Sequence, residues 1–198
     1  MMLNKSLIKG SLVLLIAFNL FNLLNFIFHF SMARLLTVTE FGVLSALFSI
    51  IYILSGLSES IQIISTKYSA KEKNNSVMKN FLKRALKKAF LIGIIMFAAY
   101  LIIAIFISHL TKINYFLVAL TGLIIFSVLL SPISRGVLQG KKRFRDLGIN
   151  MVAESIIKLV LAVVLVFLGW KVFGAITGAL IGTGAGLAGS IVFEILEY

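Results

Sequence analysis

Six uninterrupted apolar blocks, each of about 20 residues or more, constrain the fold more than any other feature of this chain. A helix rises 1.5 Å per residue, so about 20 apolar residues cross the roughly 30 Å hydrocarbon core of a bilayer. The blocks are continuously apolar rather than alternating, which favours helices over the strands of a membrane barrel. The sequence predicts an all-α polytopic membrane protein with six transmembrane helices, at about residues 11–33, 41–66, 89–109, 115–137, 147–168 and 172–193.

The composition supports the membrane assignment. Hydrophobic residues make up 60% of the 198 residues and charged residues 13%, whereas soluble domains average about 45–50% and 25%. The first block is longer than the roughly 7–15 apolar residues of a secretory signal and has no small-residue cleavage site, so we interpret it as a retained helix. The absence of cysteine excludes disulfides, thiolate metal sites and thiol catalysis.

Positive charges concentrate on alternate connections between the blocks. Fifteen Lys and Arg residues lie in the N-terminal head, the second-to-third connection and the fourth-to-fifth connection, against three (Arg34, Lys112 and Lys171) in the other connections. By the positive-inside rule both termini are predicted to be cytoplasmic, in the cell membrane. The basic run at residues 79–88 could instead indicate a nucleic-acid or calmodulin-like patch, but topology already accounts for it, so no nucleic-acid partner is predicted.

Polar side chains form stripes along three of the predicted helices. Projected at 100° per residue, the members of each stripe share one helix face. Such residues are costly in hydrocarbon and usually face a bundle interior or a water-filled cavity. In the first span, lining of a cavity and hydrogen bonding to a neighbouring helix remain alternatives. The residues that we predict to line a lumen are Asn22, Asn25 and His29, then Glu59 and Gln62, then Asn150, Glu154 and Lys158. Glu59 lies near the inner end of its span and could instead reach cytoplasmic water.

Lys158 is the polar residue that is hardest to accommodate in lipid. It lies about 15 Å into the fifth span, near the middle of the membrane. Glu154 precedes it by one turn and could neutralise it as an i, i+4 ion pair. Either this pair only packs helices together, or Lys158 is a cation in an aqueous lumen that holds an anionic group or couples to ions.

Small residues recur every fourth position in the sixth span. Gly174, Gly178, Gly182, Gly186 and Ser190 predict a helix face for close packing. The glycines do not form a phosphate loop, because the following Lys-Ser/Thr is missing. We also find no HExxH motif, no nucleophile elbow and no aspartate cluster. The sequence therefore predicts neither an enzyme nor a metal or cofactor site.

Three segments resemble the polysaccharide and oligosaccharide flippase branch of the multidrug/oligosaccharidyl-lipid/polysaccharide exporter superfamily. The first is ARLLTVTEFGVLSALFSI at residues 33–50, at the first-to-second helix turn. The second is RGVLQG at residues 135–140, followed by Arg143 and Phe144. The third is VFGA at residues 172–175, with Gly178 and Gly182 after it.

The resemblance implies a transporter that flips a lipid-linked oligosaccharide across the cytoplasmic membrane by alternating access. It further implies two six-helix lobes around a central cavity, within a bilayer of membrane lipids. Cationic cavity residues of the family face the phosphate and acidic sugars of the substrate, and by position these are Arg34, Arg135 and Lys158 here. Drug-exporting relatives often carry an acidic residue for ion coupling in the first helix, and this first helix has none.

The family usually has twelve or more helices, whereas this chain is predicted to have six. It is therefore expected to be one lobe, either part of a longer protein or a half-transporter that pairs with a second copy or a partner half. One alternative function is a cation-coupled small-molecule or drug exporter of the same superfamily, in which Glu59 or Glu154 binds the coupling cation. Another is a non-transporting membrane scaffold or assembly subunit.

Overall fold

The computed structural model describes residues 5–195, apart from the side chains of residues 5–8, 57 and 195. The termini, which were predicted to be cytoplasmic, and the side chain of Lys5 lie outside this description. Within it the chain is helical, with short connections. The seven α-helices are α1 (Lys5–Leu35), α2 (Val38–Lys71), α3 (Asn75–Thr111), α4 (Tyr115–Thr121), α5 (Ile124–Gly140), α6 (Phe144–Leu165) and α7 (Lys171–Ile195).

Within residues 5–195, five helical segments are long and apolar enough to cross a membrane. They are Lys9–Leu35, Val38–Lys71, Asn75–Thr111, Tyr115–Gly140 and Phe144–Glu194. The chain is thus an all-α, multi-pass membrane protein. The last of these segments, 51 residues long, contains both the fifth and the sixth predicted spans.

Gly169 divides that long segment into α6 and α7. Its φ of 88° lies in the left-handed region, which glycine adopts without the penalty of a Cβ. The turn Val166–Trp170 around it reverses the chain, so that α7 runs back along α6 in the antiparallel direction. The predicted boundary at Gly169-Trp170-Lys171 therefore falls at the observed reversal.

Most helices extend beyond the predicted spans at both ends, but the span predicted at 115–137 begins at the predicted residue, Tyr115, and is divided into α4 and α5 at residues 122–123. The largest difference is in the basic stretch at residues 67–88, which was predicted to be a polar connection. Helix α3 already begins at Asn75, where the side chain of Asn74 accepts a hydrogen bond of 2.9 Å from the backbone N–H of Ser76. Met78 and Leu82 are buried on the inner face of this extension. The basic segment is therefore an amphipathic helix that packs through its apolar face.

The helices pair in two layers. Helix α1 packs along α6, and α2 packs along α5, each pair running in parallel, while α7 contacts both α5 and α6. Helix α3 lies at the periphery on α5 and exposes Ile95, Ile102 and Phe106. Helices α1 and α2 make few contacts, and so do α5 and α6. This arrangement leaves a groove between the α1–α6 pair and the α2–α5 pair.

The small-residue face of α7 packs directly on the backbone of α6. A Cβ added to Gly182 would lie 2.5 Å from the Cβ and 2.7 Å from the Cα of Lys158. One added to Gly178 would lie 2.6 Å from the Cα of Ala162. The predicted close-packing face is therefore confirmed, and it fixes how α6 presents Glu154 and Lys158.

We expect Gly182→Ala to lower the free energy of unfolding by about 1–3 kcal/mol, because the methyl group would force α6 and α7 apart. Gly184→Ala is the matched control, since a Cβ there meets nothing within 4 Å. The control should be neutral or stabilising by up to about 1 kcal/mol through helix propensity. Thermal unfolding of both variants in detergent measures the difference, and equal effects would contradict the packing role of Gly182.

Candidate functional site

The groove between the two helix pairs contains a polar cavity of about 170 Å³. Its walls come from α2 and α5, with single contributions from α6 and α7. The polar residues that line it are Ser55, Ser58, Gln62, Ser127, Ser131, Arg135, Glu154 and Thr183. Three of the residues predicted to line a lumen, Gln62, Arg135 and Glu154, thus share one cavity.

Arg135 on α5 and Glu154 on α6 form a salt bridge between Nη2 and Oε2. Their side chains are only 13% and 10% exposed. The Nε of Arg135 also donates to Oδ1 of Asn150 at 3.2 Å, and Nδ2 of Asn150 donates to the carbonyl of Gly186 at 2.7 Å. The network joins α5, α6 and α7. It pairs two buried charges, and burying either charge without the other would be strongly unfavourable.

The predicted ion pair between Glu154 and Lys158 is wrong, since Glu154 makes its salt bridge with Arg135. Lys158 is 9% exposed, and its ammonium donates to Oδ1 of Asn25 at 2.6 Å. The same ammonium lies 4.5 Å from the ring centre of Phe28 and 5.4 Å from that of Phe48. Two cation–π contacts and one hydrogen bond thus stabilise the ammonium in place of the predicted contact with the carboxylate of Glu154. Through them Lys158 connects α6 to α1 and α2.

Pro132 in the middle of α5 releases a backbone carbonyl. A proline has no N–H, so the carbonyl of Val128, four residues earlier, loses its helical partner. The hydroxyl of Ser58 on α2 donates to this carbonyl at 2.8 Å. Since an unsatisfied carbonyl is costly away from water, this bond ties α2 to α5 at the wall of the cavity.

Gln62 and Gln139 continue the polar contact between α2 and α5. The amide Nε2 of Gln62 donates to Oε1 of Gln139 at 2.9 Å, and the hydroxyl of Thr66 lies 3.4 Å from the same oxygen. Gln139 was missed as a site residue. Its position four residues after Arg135 on the same helix was the signal that could have identified it.

His29 connects α1 to α2 beside the Lys158 cluster. Its Nε2 lies 2.8 Å from the hydroxyl of Tyr52. Its ring meets those of Phe28 and Phe48 edge-on, with centroids 5.2 Å and 5.0 Å apart. Asn25 and His29 thus hydrogen-bond to neighbouring helices, which is one of the two alternatives for the first-helix stripe, and neither residue lines the cavity.

Three predicted residues lie apart from these networks. Asn22 and Glu59 are exposed on α1 and α2. Arg34 is exposed and lies over the ring of Phe30, 5.4 Å from its centre. Within residues 5–195, no group of three or more His, Asp and Glu side chains is arranged to hold a metal ion.

Two solved structures share this fold. One is the outward-facing conformation of a multidrug resistance MATE family transporter of the MOP superfamily, with a TM-score of 0.68 and 18% identity. The other is a MOP superfamily transporter from Pyrococcus furiosus, described with a binding pocket of reverse polarity, with a TM-score of 0.70 and 17% identity. In each case the match covers 95% of this chain and 43% of the other. The chain thus spans less than half the length of either transporter.

No curated protein matches the chain. The family described as polysaccharide biosynthesis protein matches residues 7–197, nearly the whole sequence. The chain belongs to the polysaccharide biosynthesis protein family.

Proposed function

We propose that this chain is one six-helix lobe of a transporter that flips a lipid-linked oligosaccharide across the cell membrane by alternating access. The observation that carries the proposal is the groove with Arg135 inside it, in a chain of this family. The charged sugar-phosphate headgroup would travel along the groove while the lipid tail stays in the bilayer.

The charge balance of the groove supports an anionic substrate. Arg135 and Glu154 line the cavity as a salt-bridged pair, and Lys158 adds one further cation on α6, one turn from Glu154, although its side chain does not line the cavity. The guanidinium of Arg135 presents several donors in a fixed plane, which suits a phosphate or carboxylate. We assign Arg135 as the first contact for the substrate phosphate, with Gln62 and Asn150 as neutral hydrogen-bonding neighbours.

A cation-coupled exporter needs an acidic side chain that can accept a cation. Glu154 is already engaged by Arg135, and Glu59 is exposed on α2 away from the cavity. These positions favour the flippase over the exporter. Drug efflux that depended on either carboxylate would reverse this preference.

A second lobe is needed to enclose the substrate. The groove is open in this lobe, and both solved transporters of the same fold are more than twice as long as the matched region. We propose that the lobe works with a second six-helix half, either another copy of this chain or a further segment. Parallel pairing of two such lobes around an axis along the membrane normal is a known arrangement in transporters.

The proposed topology has six spans with both termini inside, the Phe144–Glu194 segment counting as two. Because the chain has no cysteine, single cysteines can be labelled with a membrane-impermeant maleimide. We expect Asn75→Cys to react from the cytoplasmic side, and Thr111→Cys and Leu168→Cys from the opposite side. If Phe144–Glu194 crossed the membrane as one helix, Leu168→Cys would be embedded and unreactive.

We expect Arg135→Gln to reduce flipping of a fluorescent lipid-linked oligosaccharide at least 10-fold in proteoliposomes of the complete transporter, because it removes the charge-assisted phosphate contact. Arg145→Gln is the matched control, because Arg145 is an exposed arginine outside the cavity. The flipping rate of this control should stay within about 2-fold of the wild-type rate. Arg135→Gln combined with Glu154→Gln removes both buried charges. Recovery of flipping in this double variant would show that Arg135 only neutralises Glu154 and would contradict the substrate role.

Lys158 can be tested for a substrate role separately from its packing role. Lys158→Met keeps the length of the side chain, whereas Lys158→Ala leaves a gap beside Phe28 and Phe48. If Lys158 serves packing, the methionine variant should retain flipping and thermal stability, while the alanine variant loses about 2 kcal/mol or more of stability. Equal loss of flipping in both variants, with normal stability of the methionine variant, would instead indicate contact with the substrate.

A further inference from the structure

A second pocket lies where α2 ends and α3 begins, apart from the groove. It has a volume of about 490 Å³ and is formed by Tyr68 of α2 and one face of α3. The face of α3 contributes Val77, Phe81 and Ala85 together with the polar residues Asn80, Arg84 and Lys88. The proposed transport mechanism does not use this pocket.

Two cations in this pocket have no acidic partner. Arg84 and Lys88 are one helical turn apart, so their side chains lie on the same face of α3. Both are exposed, and in the described part of the chain neither makes a salt bridge. The sequence between Lys67 and Lys88 contains a single acidic residue, Glu72, whose Oε1 accepts the backbone N–H of Asn74 at 2.8 Å.

The pocket lies at the depth of lipid headgroups. Immediately after Lys88 the surface of α3 becomes apolar, with Phe90, Leu91 and Ile92 all exposed. Lys88 therefore marks the edge of the hydrocarbon, and Arg84 lies about 6 Å further out along the helix. The headgroup region on each side of a bilayer is about 5–8 Å thick, so the two cations bracket the level of the phosphates.

An aromatic wall completes the pocket. The ring of Tyr68 stacks on that of Phe81, with centroids 4.2 Å apart and an angle of 24° between the planes. Aromatic rings with a polar edge are favoured at the interface between membrane and water. The pocket thus offers two cations and an amide on its polar side, and apolar and aromatic surface on the side toward the bilayer.

We propose that this pocket binds the headgroup of an anionic phospholipid. Arg84 and Lys88 contact the phosphate, Asn80 donates to headgroup oxygens, and the glycerol and upper acyl chains lie against Val77 and the Tyr68–Phe81 pair. Bulk attraction of a polybasic segment to a membrane needs no cleft, whereas this geometry selects one lipid molecule. The inference is independent of the proposed transport function and of the side of the membrane on which the pocket lies.

Native mass spectrometry of the full chain in neutral detergent, with added phosphatidylglycerol, tests the proposal. A micelle lacks the surface field of an anionic bilayer, so retention of one lipid reports the pocket itself. Removing both cations in Arg84→Gln/Lys88→Gln should weaken binding of the first phosphatidylglycerol roughly 30-fold, from two charged contacts. Phosphatidylcholine should bind weakly to wild type and equally weakly to this variant.

The matched control is Lys83→Gln/Lys87→Gln, which removes the same charge from the same helix but outside the pocket. The affinity of this control for phosphatidylglycerol should stay within about 3-fold of that of the wild type, because only the screened electrostatic attraction of the protein surface changes. Equal weakening in the two double variants would show non-specific attraction and overturn the proposal. Unchanged binding in Arg84→Gln/Lys88→Gln would overturn it as well.

A further arm of the experiment separates the lipid from free phosphate. Inorganic phosphate and glycerol phosphate at millimolar concentration should not displace the bound phosphatidylglycerol, because they lack the apolar contact with the aromatic wall. Displacement by either would mean that the pocket is a general phosphate site and would contradict binding of a lipid. The circular dichroism spectrum of each variant should match that of the wild type. Phe81→Ala, which keeps both cations, should also weaken binding of phosphatidylglycerol.

Discussion

The lack of water in the bilayer core is the constraint on which this structure depends. Any polar group placed there needs a partner within the protein. The chain meets this requirement across helices: Arg135 with Glu154 and Asn150, Gln62 with Gln139, Lys158 with Asn25, and Ser58 with the carbonyl released by Pro132. Four of these residues, Ser58, Gln62, Arg135 and Glu154, line the same cavity, so the bonds that fasten the helices together also form its walls.

Close packing of α6 and α7 decides which way those groups face. The glycines of α7 bring its backbone against the backbone of Lys158 and Ala162, and the absent side chain of Gly186 leaves room for the carboxylate of Glu154. From this position over Gly186, Glu154 bonds to Arg135 on α5, whereas Lys158, one turn later on the same helix, contacts α1 and α2. The α6–α7 hairpin thereby directs two opposite charges to different neighbouring helices.

Much of the fold was predictable because lipid leaves few choices. Long apolar blocks must be helices, the reversal at Gly169 follows from a polar and glycine-containing interruption, and four-residue spacing of small side chains indicates close contact. The extension of α3 back to Asn75 was not predicted, because charge alone does not distinguish a polar loop from a helix that continues into water. Burial of Met78 and Leu82 stabilises that extension, and burial depends on what α3 packs against.

The sequence by itself determined the membrane class, the family and the stripes of polar residues, since each of these follows from local order along the chain. Only the tertiary structure decided the partners. Glu154 and Lys158 are ideally spaced for an ion pair on one helix, yet each bonds to a residue on another helix. That choice depends on the distances between helices, and the spacing of residues along a single helix gives no information about those distances. The same reason explains why Tyr52 was recognised only when α2 was placed beside α1.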